Sequence, residues 1–293
     1  MSKKTEADPS GQRGNRNKAT RAAHSKLSKA QSAAIDMFMG IPRSIRVNRA
    51  ESVWIYVLPP SEMEALSEQL SLILDQELET INGRVSAAWW MIDNLERAYR
   101  TGAAESIVEF NRMVSIADRA GIKAPSGLAL QQVDSGRVTT SAPYRTELQK
   151  VYVRTYQTMK GFSNDTTMQI VRVIQDGISA GQSPKQIRDE IRGRFKVAKS
   201  RAARIANTEV QWAYNKAKLD AVALAEMDTG LESRVIHISA LLPTTRKHHA
   251  ARHRRIYTPE EQRAWWISGS NLINCKCTAR PILVDADGKQ LSK

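Results

Sequence analysis

Four of the five histidines and both cysteines of this chain lie between His237 and Cys277. His249 and His253 stand four residues apart, a spacing that places two side chains on one face of a helix. Cys275 and Cys277 stand two residues apart, a spacing that points two side chains the same way on an extended strand. Imidazole nitrogen and thiolate sulfur are ligands that Zn²⁺ prefers, so His249, His253, Cys275 and Cys277 form a candidate tetrahedral site.

A second interpretation of the same residues needs no metal. The thiols follow the histidines and are separated by one residue, which differs from the spacing of the common zinc fingers. In this interpretation His253 is solvated among its arginine neighbours, and the cysteines are small, reduced core side chains. Zinc binding and a metal-free core both stay open on the sequence alone.

Two stretches resemble the phage Mu F-like minor head proteins, in the order in which that family has them. The first, RIANTEVQWAYNKAK from Arg204 to Lys218, is similar to a helix with a Thr-Glu pair and Ala-x-Asn spacing. The second, Ser239 to Pro281, contains Thr-Arg, two spaced histidines, Tyr-Thr and NCKCT. The resemblance covers only the C-terminal part of the chain. It implies polar positions with a structural role at Glu209, Arg246, His249, His253, Cys275 and Cys277.

The composition is that of a globular protein, with 41% hydrophobic and 25% charged residues in 293. This length is sufficient for one large or two modest domains. No apolar run approaches the roughly 20 residues of a membrane helix, and the first residues lack the apolar stretch of a secretory signal. Two cysteines one residue apart do not form a disulfide framework. We therefore expect no membrane association and synthesis in a reducing host cytoplasm.

The net charge of +14 is concentrated in three segments. Residues 1–30 and residues 184–204 each contain eight basic and two acidic side chains, and residues 243–255 contain five basic and no acidic ones. Such clusters suit a polyanion such as double-stranded DNA, although an acidic protein partner or an ordinary solvated face fits the same pattern. The candidate nucleic-acid contacts in the second segment are Lys185, Arg188, Arg192, Arg194, Lys196, Lys199 and Arg201.

The N-terminal half divides into three predicted regions. Residues 1–30 have almost no apolar side chains, which predicts a mobile basic arm. Residues 31–122 predict a helical domain, in which leucines recur at helical spacing between Leu66 and Leu78 as core or partner surface. Residues 123–143 are rich in Gly, Ser, Thr and Pro, which predicts a linker or long loop.

The C-terminal region, residues 144–293, is predicted as one domain with the Mu F-like resemblance. Residues 144–229 have helical spacing, whereas residues 230–285 contain two short alternating runs that flank the His-rich turn and a short helix. The predicted fold class is therefore mainly α with a small C-terminal α+β module.

The function that the resemblance implies is that of a minor capsid protein in tailed-bacteriophage head morphogenesis, located in the virion near the portal vertex. We expect it to dock to the portal or other head proteins through apolar stripes and to contact packaged DNA without reading bases. The alternatives are a free nucleic-acid-binding regulator and a metal-dependent DNA-processing enzyme. No catalytic residue is predicted, because no Glu separates His249 from His253 and residues 243–256 contain no carboxylate for Mg²⁺.

Overall fold

The computed structural model describes residues 8–47, 52–80, 85, 86, 88–122, 130–285, 288 and 290. The helices are α1 Arg13–Met39, α2 Pro60–Leu78, α3 Ile92–Arg119, α4 Ser135–Thr140, α5 Ala142–Ser179, α6 Pro184–Thr229, α7 Lys247–Ala250 and α8 Pro259–Ile267. The strands are β1 Arg43–Val47, β2 Ser52–Tyr56, β3 Ser233–Ile238, β4 Ile256–Tyr257 and β5 Thr278–Leu283. The predicted fold class, mainly α with a small C-terminal α+β module, is confirmed. In the described part of the chain, no helix combines the length and the apolarity needed to cross a bilayer.

The chain forms two compact units that cut across the regions predicted from the sequence. The mixed unit comprises Met1–Lys18, Met91–Tyr152 and Asn207–Lys293, and the helical unit comprises Ala19–Trp90 and Val153–Ala206. Helices α1, α5 and α6 contribute residues to both units. The amino-acid composition shows where helical and loop-like segments alternate along the chain, but it does not reveal which distant segments pack together. The predicted regions 31–122, 123–143 and 144–293 therefore do not coincide with these units.

Residues 13–30 of the predicted basic arm, residues 1–30, lie in α1. Residues 1–7 lie outside the described residues. Small apolar side chains recur at helical spacing in this helix, and Ala19, Ala23 and Leu27 are fully buried. Alanine has the highest helix propensity and permits close packing, so a segment poor in large apolar residues still forms a helix with a buried face.

The predicted linker, residues 123–143, also contains helical structure. Asp134 caps α4 by accepting a hydrogen bond from the Gly136 N–H at 2.8 Å, and α5 begins at Ala142. Residues 123–129 lie outside the described residues. Asp is a strong N-cap residue, and this signal was present in the sequence within a stretch that otherwise resembles a loop.

The helical unit is built from helices with continuous apolar stripes. The leucine stripe of α2, predicted as core or partner surface, is core, because Leu70, Leu74 and Leu78 are fully buried. Strands β1 and β2 form an antiparallel hairpin, with Arg43 opposite Tyr56. The Trp54 N–H donates to the carbonyl of Gly181 at 3.0 Å, which ties the hairpin to the left-handed turn after α5.

The mixed unit contains a three-stranded antiparallel sheet in the order β4-β3-β5. Its apolar core combines one face of α6 with the sheet and α8, through Trp212, Leu219, Val235, Trp266, Leu272 and Ala279. The C-terminal half of α6 also passes close to α3, where Gly102 faces the backbone of Tyr214. A capping box between Thr258 and Glu261 begins α8. These elements surround the segment that contains the predicted ligands.

Candidate metal centre

The antiparallel pairing of β3 and β5 brings distant histidines and cysteines together. Ile238, the last residue of β3, lies opposite Thr278, the first residue of β5. The loop that leaves β3 and the loop that enters β5 therefore meet at one end of the sheet. The first loop leads to α7, which contains His249, and the second contains Cys275 and Cys277.

Three of the predicted ligands converge at this end of the sheet. Nδ1 of His249 lies 3.5 Å from Sγ of Cys275 and 3.5 Å from Sγ of Cys277. The three ligand atoms all lie within 4.8 Å of one another, and the three side chains are buried. Nitrogen and sulfur ligands of one tetrahedral Zn²⁺, with bonds of about 2.0 and 2.3 Å, lie about 3.5 Å apart. The geometry therefore fits a zinc ion.

Helix α6 holds the cysteine loop in place through its polar face. Thr208 accepts a hydrogen bond from the Asn274 N–H at 2.9 Å. Gln211 and Asn215 both donate to the carbonyl of Cys277, at 3.2 and 2.9 Å. Asn274 has a φ of 49°, a left-handed conformation that Asn tolerates better than most residues. The turn at Asn274 therefore directs the buried thiols inward.

The two thiols have different ionisation properties. The pKa of Cys277 is lowered, mainly by a hydrogen bond from Cys275 and further by His237 and His249. The pKa of Cys275 is raised by the same interaction and by burial. Cys275 Sγ also accepts a hydrogen bond from the Cys277 N–H at 3.3 Å. The interaction between the two thiols thus favours loss of one proton from the pair, and the thiolate is the form that binds zinc.

His253 does not join this set, which corrects the predicted pairing with His249. Helix α7 ends at Ala250, so the two histidines do not share a helical face. A turn follows in which Arg254 has a φ of 62°. Nδ1 of His253 instead accepts a hydrogen bond from the Ser239 N–H at 3.2 Å. Helical spacing predicts a shared face only where the helix continues through both residues.

A histidine that was not predicted as a ligand lies nearby. His237 is fully buried on β3, and its ring packs edge-to-face against Trp265. A signal was present in the sequence, since Val235, His237 and Ser239 alternate along a strand and share one face. A histidine on the apolar face of a strand points into the core, where it can reach a buried ion.

The remaining predicted polar residues lie around the centre. Arg246 donates to the carbonyls of Ser270, Asn271 and Ile273 at 2.6, 3.0 and 3.1 Å, and thereby fastens the turn that precedes the cysteines. Glu209 is buried on α6, on the part of the helix that supports the cysteine loop. A cavity of about 110 Å³ adjoins the ligands and is lined by Thr244, Thr245, Arg246, Asn274 and Lys276, among others.

The seven predicted nucleic-acid contacts lie on the N-terminal half of α6, within the helical unit. Lys185, Arg188, Arg192, Lys196 and Lys199 follow one another at intervals of three or four residues and form one stripe. Some are paired: Arg188 and Arg192 with Asp189, Arg201 with Asp165, and Lys199 with Gln31. Among the described residues, Lys185, Arg194 and Lys196 form no ion pair and are exposed.

The centre lies inside a recognised family region. Residues 168–280 match the family described as Phage Mu protein F like protein. The resemblance inferred from the two sequence motifs is thereby confirmed for the C-terminal part of the chain. The Mu F-like region begins within α5, ends within β5 and includes His249, Cys275 and Cys277. The match points to a bacteriophage head morphogenesis protein. No curated protein and no solved structure gives a significant match to the chain.

Proposed function

We propose that the chain is a minor structural protein of a tailed-bacteriophage head, assembled near the portal vertex. The observation that carries this proposal is the Mu F-like region, with its buried His249, Cys275 and Cys277 set. Mass spectrometry of purified virions should detect the chain as a stable component. Absence from particles, together with sequence-specific footprints on DNA in solution, would support the free regulator instead.

The proposed metal is a structural zinc ion bound by His249, Cys275 and Cys277. Two 3.5 Å nitrogen-to-sulfur distances and a thiol with a lowered pKa support it. Native protein should contain about one zinc per chain, and the Cys275→Ser, Cys277→Ser double variant close to none. His253→Gln is the matched control and should retain its zinc, because this histidine binds Ser239 instead. Equal, near-zero zinc in native protein and double variant contradicts the proposal.

The proposed role is structural rather than catalytic. A zinc ion in this position would tie the loop after β3 to the loop before β5 and so hold together a small sheet. The surrounding polar groups serve the same purpose, since Gln211, Asn215 and Arg246 bind backbone carbonyls. A zinc-dependent hydrolytic activity on DNA that disappears in the double cysteine variant would overturn this assignment.

The proposed DNA contact uses the exposed basic side chains of α6. Lys185, Arg194 and Lys196 are exposed, and phosphate groups are a natural counter-charge for them. Replacing all three with Gln should weaken binding uniformly across sequences and reduce the slope of log affinity against log salt by about 0.9 for each phosphate that is no longer neutralised. A charge-matched control replaces three exposed basic residues of the mixed unit, namely Arg112, Arg145 and Lys150. Equal slopes in the two triple variants contradict DNA binding by α6.

The proposed docking surface for the portal or another head protein is one face of the hairpin. Val53, Ile55 and Val57 alternate along the second strand and its extension, and all three are exposed, at 43%, 39% and 59%. Exposed apolar side chains that share a face are typical of protein interfaces. Ile55→Lys should reduce incorporation into heads without changing the thermal stability of the free protein. Met168→Lys, at another exposed apolar position of the helical unit, is the control. Equal incorporation of both variants argues against this surface.

A further inference from the structure

His237 is a close neighbour of Cys277 in the sheet. In the β3–β5 register it is opposite Ala279, two residues after Cys277. Residues directly opposite each other in a sheet share a face, as do residues two apart on a strand. His237 and Cys277 are therefore diagonal neighbours on the same face, and both are buried. Side chains in this relation are within reach of each other.

The hydrogen bonds of His237 leave one ring nitrogen free to act as a ligand. Nδ1 lies 3.2 Å from Oε1 of Gln262. Arg252 also donates to this atom at 3.4 Å, which identifies it as the amide oxygen because a guanidinium only donates. Nδ1 of His237 therefore carries the proton, and Nε2 has the lone pair. Within the described residues, buried Nε2 forms no hydrogen bond.

This arrangement is the one that zinc-binding histidines use. A histidine that binds metal through one nitrogen commonly donates from the other to a carboxylate or carbonyl oxygen, which fixes its tautomer and orientation. Gln262 provides such an acceptor for His237. A buried imidazole nitrogen without a partner is destabilising, and a metal bond removes that penalty.

We propose that His237 completes the zinc site as the fourth ligand, through Nε2, together with His249, Cys275 and Cys277. This inference rests on the zinc binding proposed above. His237 is not among the three residues whose ligand atoms all lie within 4.8 Å, so zinc binding by His237 requires a shift of its ring towards the ion. The competing fourth ligand is water from the adjoining cavity. Four protein ligands make a closed structural site, whereas three with water make an open site of the catalytic kind.

Zinc X-ray absorption spectroscopy on the full-length protein distinguishes the two arrangements. The expected spectrum has two sulfur and two imidazole ligands. His237→Gln should remove one imidazole and weaken zinc affinity by more than about 100-fold, whereas Gln262→Leu should retain both imidazoles and weaken affinity about 10- to 100-fold. His253→Gln is the control and should match the native protein in both measurements.

The possible results distinguish the assignment of His237 from the zinc binding on which that assignment rests. If the native protein contains no zinc, both the zinc binding and the assignment of His237 as a ligand are wrong. Native protein with zinc bound by two sulfurs, one imidazole and one oxygen overturns only the assignment of His237. If the His237→Gln variant has the native zinc affinity and the native number of imidazole ligands, the assignment of His237 is also wrong. The native ligand count decides the question even if His237→Gln does not fold.

Discussion

The helical unit and the C-terminal module of the mixed unit, residues 231–285, bury their residues by different means. The helical unit uses continuous stripes such as Leu70, Leu74 and Leu78 on α2. The module has short elements, and in its described part three residues other than Gly, namely Leu241, Arg254 and Asn274, have positive φ. Its backbone is held by particular polar contacts and by the proposed metal. The stability of the helical unit is therefore spread over many similar apolar contacts. The stability of the module depends more on a few specific polar contacts and on the proposed metal.

Removal of zinc should produce the largest difference between the two regions. Structural zinc contributes about 10–16 kcal/mol to the folding of isolated zinc-finger peptides, and a module with its own apolar core should lose a fraction of that. Hydrogen exchange on chelator-treated full-length protein should show loss of protection in β3 and β5 while α2 remains protected. Equal protection of the sheet with and without chelator contradicts a metal-dependent module.

A core truncation in the helical unit should have a smaller effect that does not depend on metal. Leu70 is fully buried, and replacing such a leucine with alanine costs about 2–5 kcal/mol through reduced transfer free energy and the cavity that remains. Urea unfolding of Leu70→Ala, monitored through the helical unit, should give the same destabilisation with and without zinc. If zinc reversed the destabilisation, the stability of the helical unit would also depend on the metal, which contradicts the proposed difference between the two regions.

Arg246→Lys should destabilise the module by about 1–3 kcal/mol, because a lysine cannot reproduce hydrogen bonds from a planar guanidinium to three carbonyls. Lysine keeps the positive charge, so the destabilisation would come from the loss of the hydrogen-bond geometry of the guanidinium. Thermal unfolding should show the destabilisation, together with weaker zinc affinity from a looser cysteine loop. Arg255→Lys, at an exposed position nearby, should change neither. Equal stability of both variants argues that Arg246 does not fasten the turn.

The fold was predictable where one periodic pattern sufficed. The leucine spacing of α2, the alternation in β3 and the run in β5 each specify an element locally. Helix α1 was missed because its buried face consists largely of alanine, which carries little weight when order is inferred from composition. The units were not predictable from linkers, because α1, α5 and α6 each contribute to both.

The sequence predicted which types of residue form the candidate site, but not which histidines belong to it. Cys275 and Cys277 converge with His249 because β3 and β5 are antiparallel, and the two alternating runs already indicated strands. The choice of His253 failed because a spacing rule for helices was applied across the end of α7. His237 was overlooked because its neighbours in space, Gln262 and Cys277, are distant in sequence.

The smallest expected effects test whether the regular helices have room for side chains on their outer faces. Gly161 and Gly193 lie inside α5 and α6, and an added Cβ would meet nothing within 4 Å at either position. Each Gly→Ala change should stabilise the protein by about 0.5–1 kcal/mol, because alanine has the higher helix propensity. Differential scanning calorimetry should show a raised Tm for each variant.

Gly102→Ala is the matched contrast and should have the opposite sign. A Cβ at this position of α3 would lie 2.2 Å from the carbonyl oxygen of Tyr214, a backbone atom that cannot rotate away. The two helices would have to separate, at a cost of about 1–3 kcal/mol. The same substitution in three helices thus stabilises at two positions and destabilises at the third. A stabilising Gly102→Ala would mean that α3 and α6 do not approach as closely as their small residues allow.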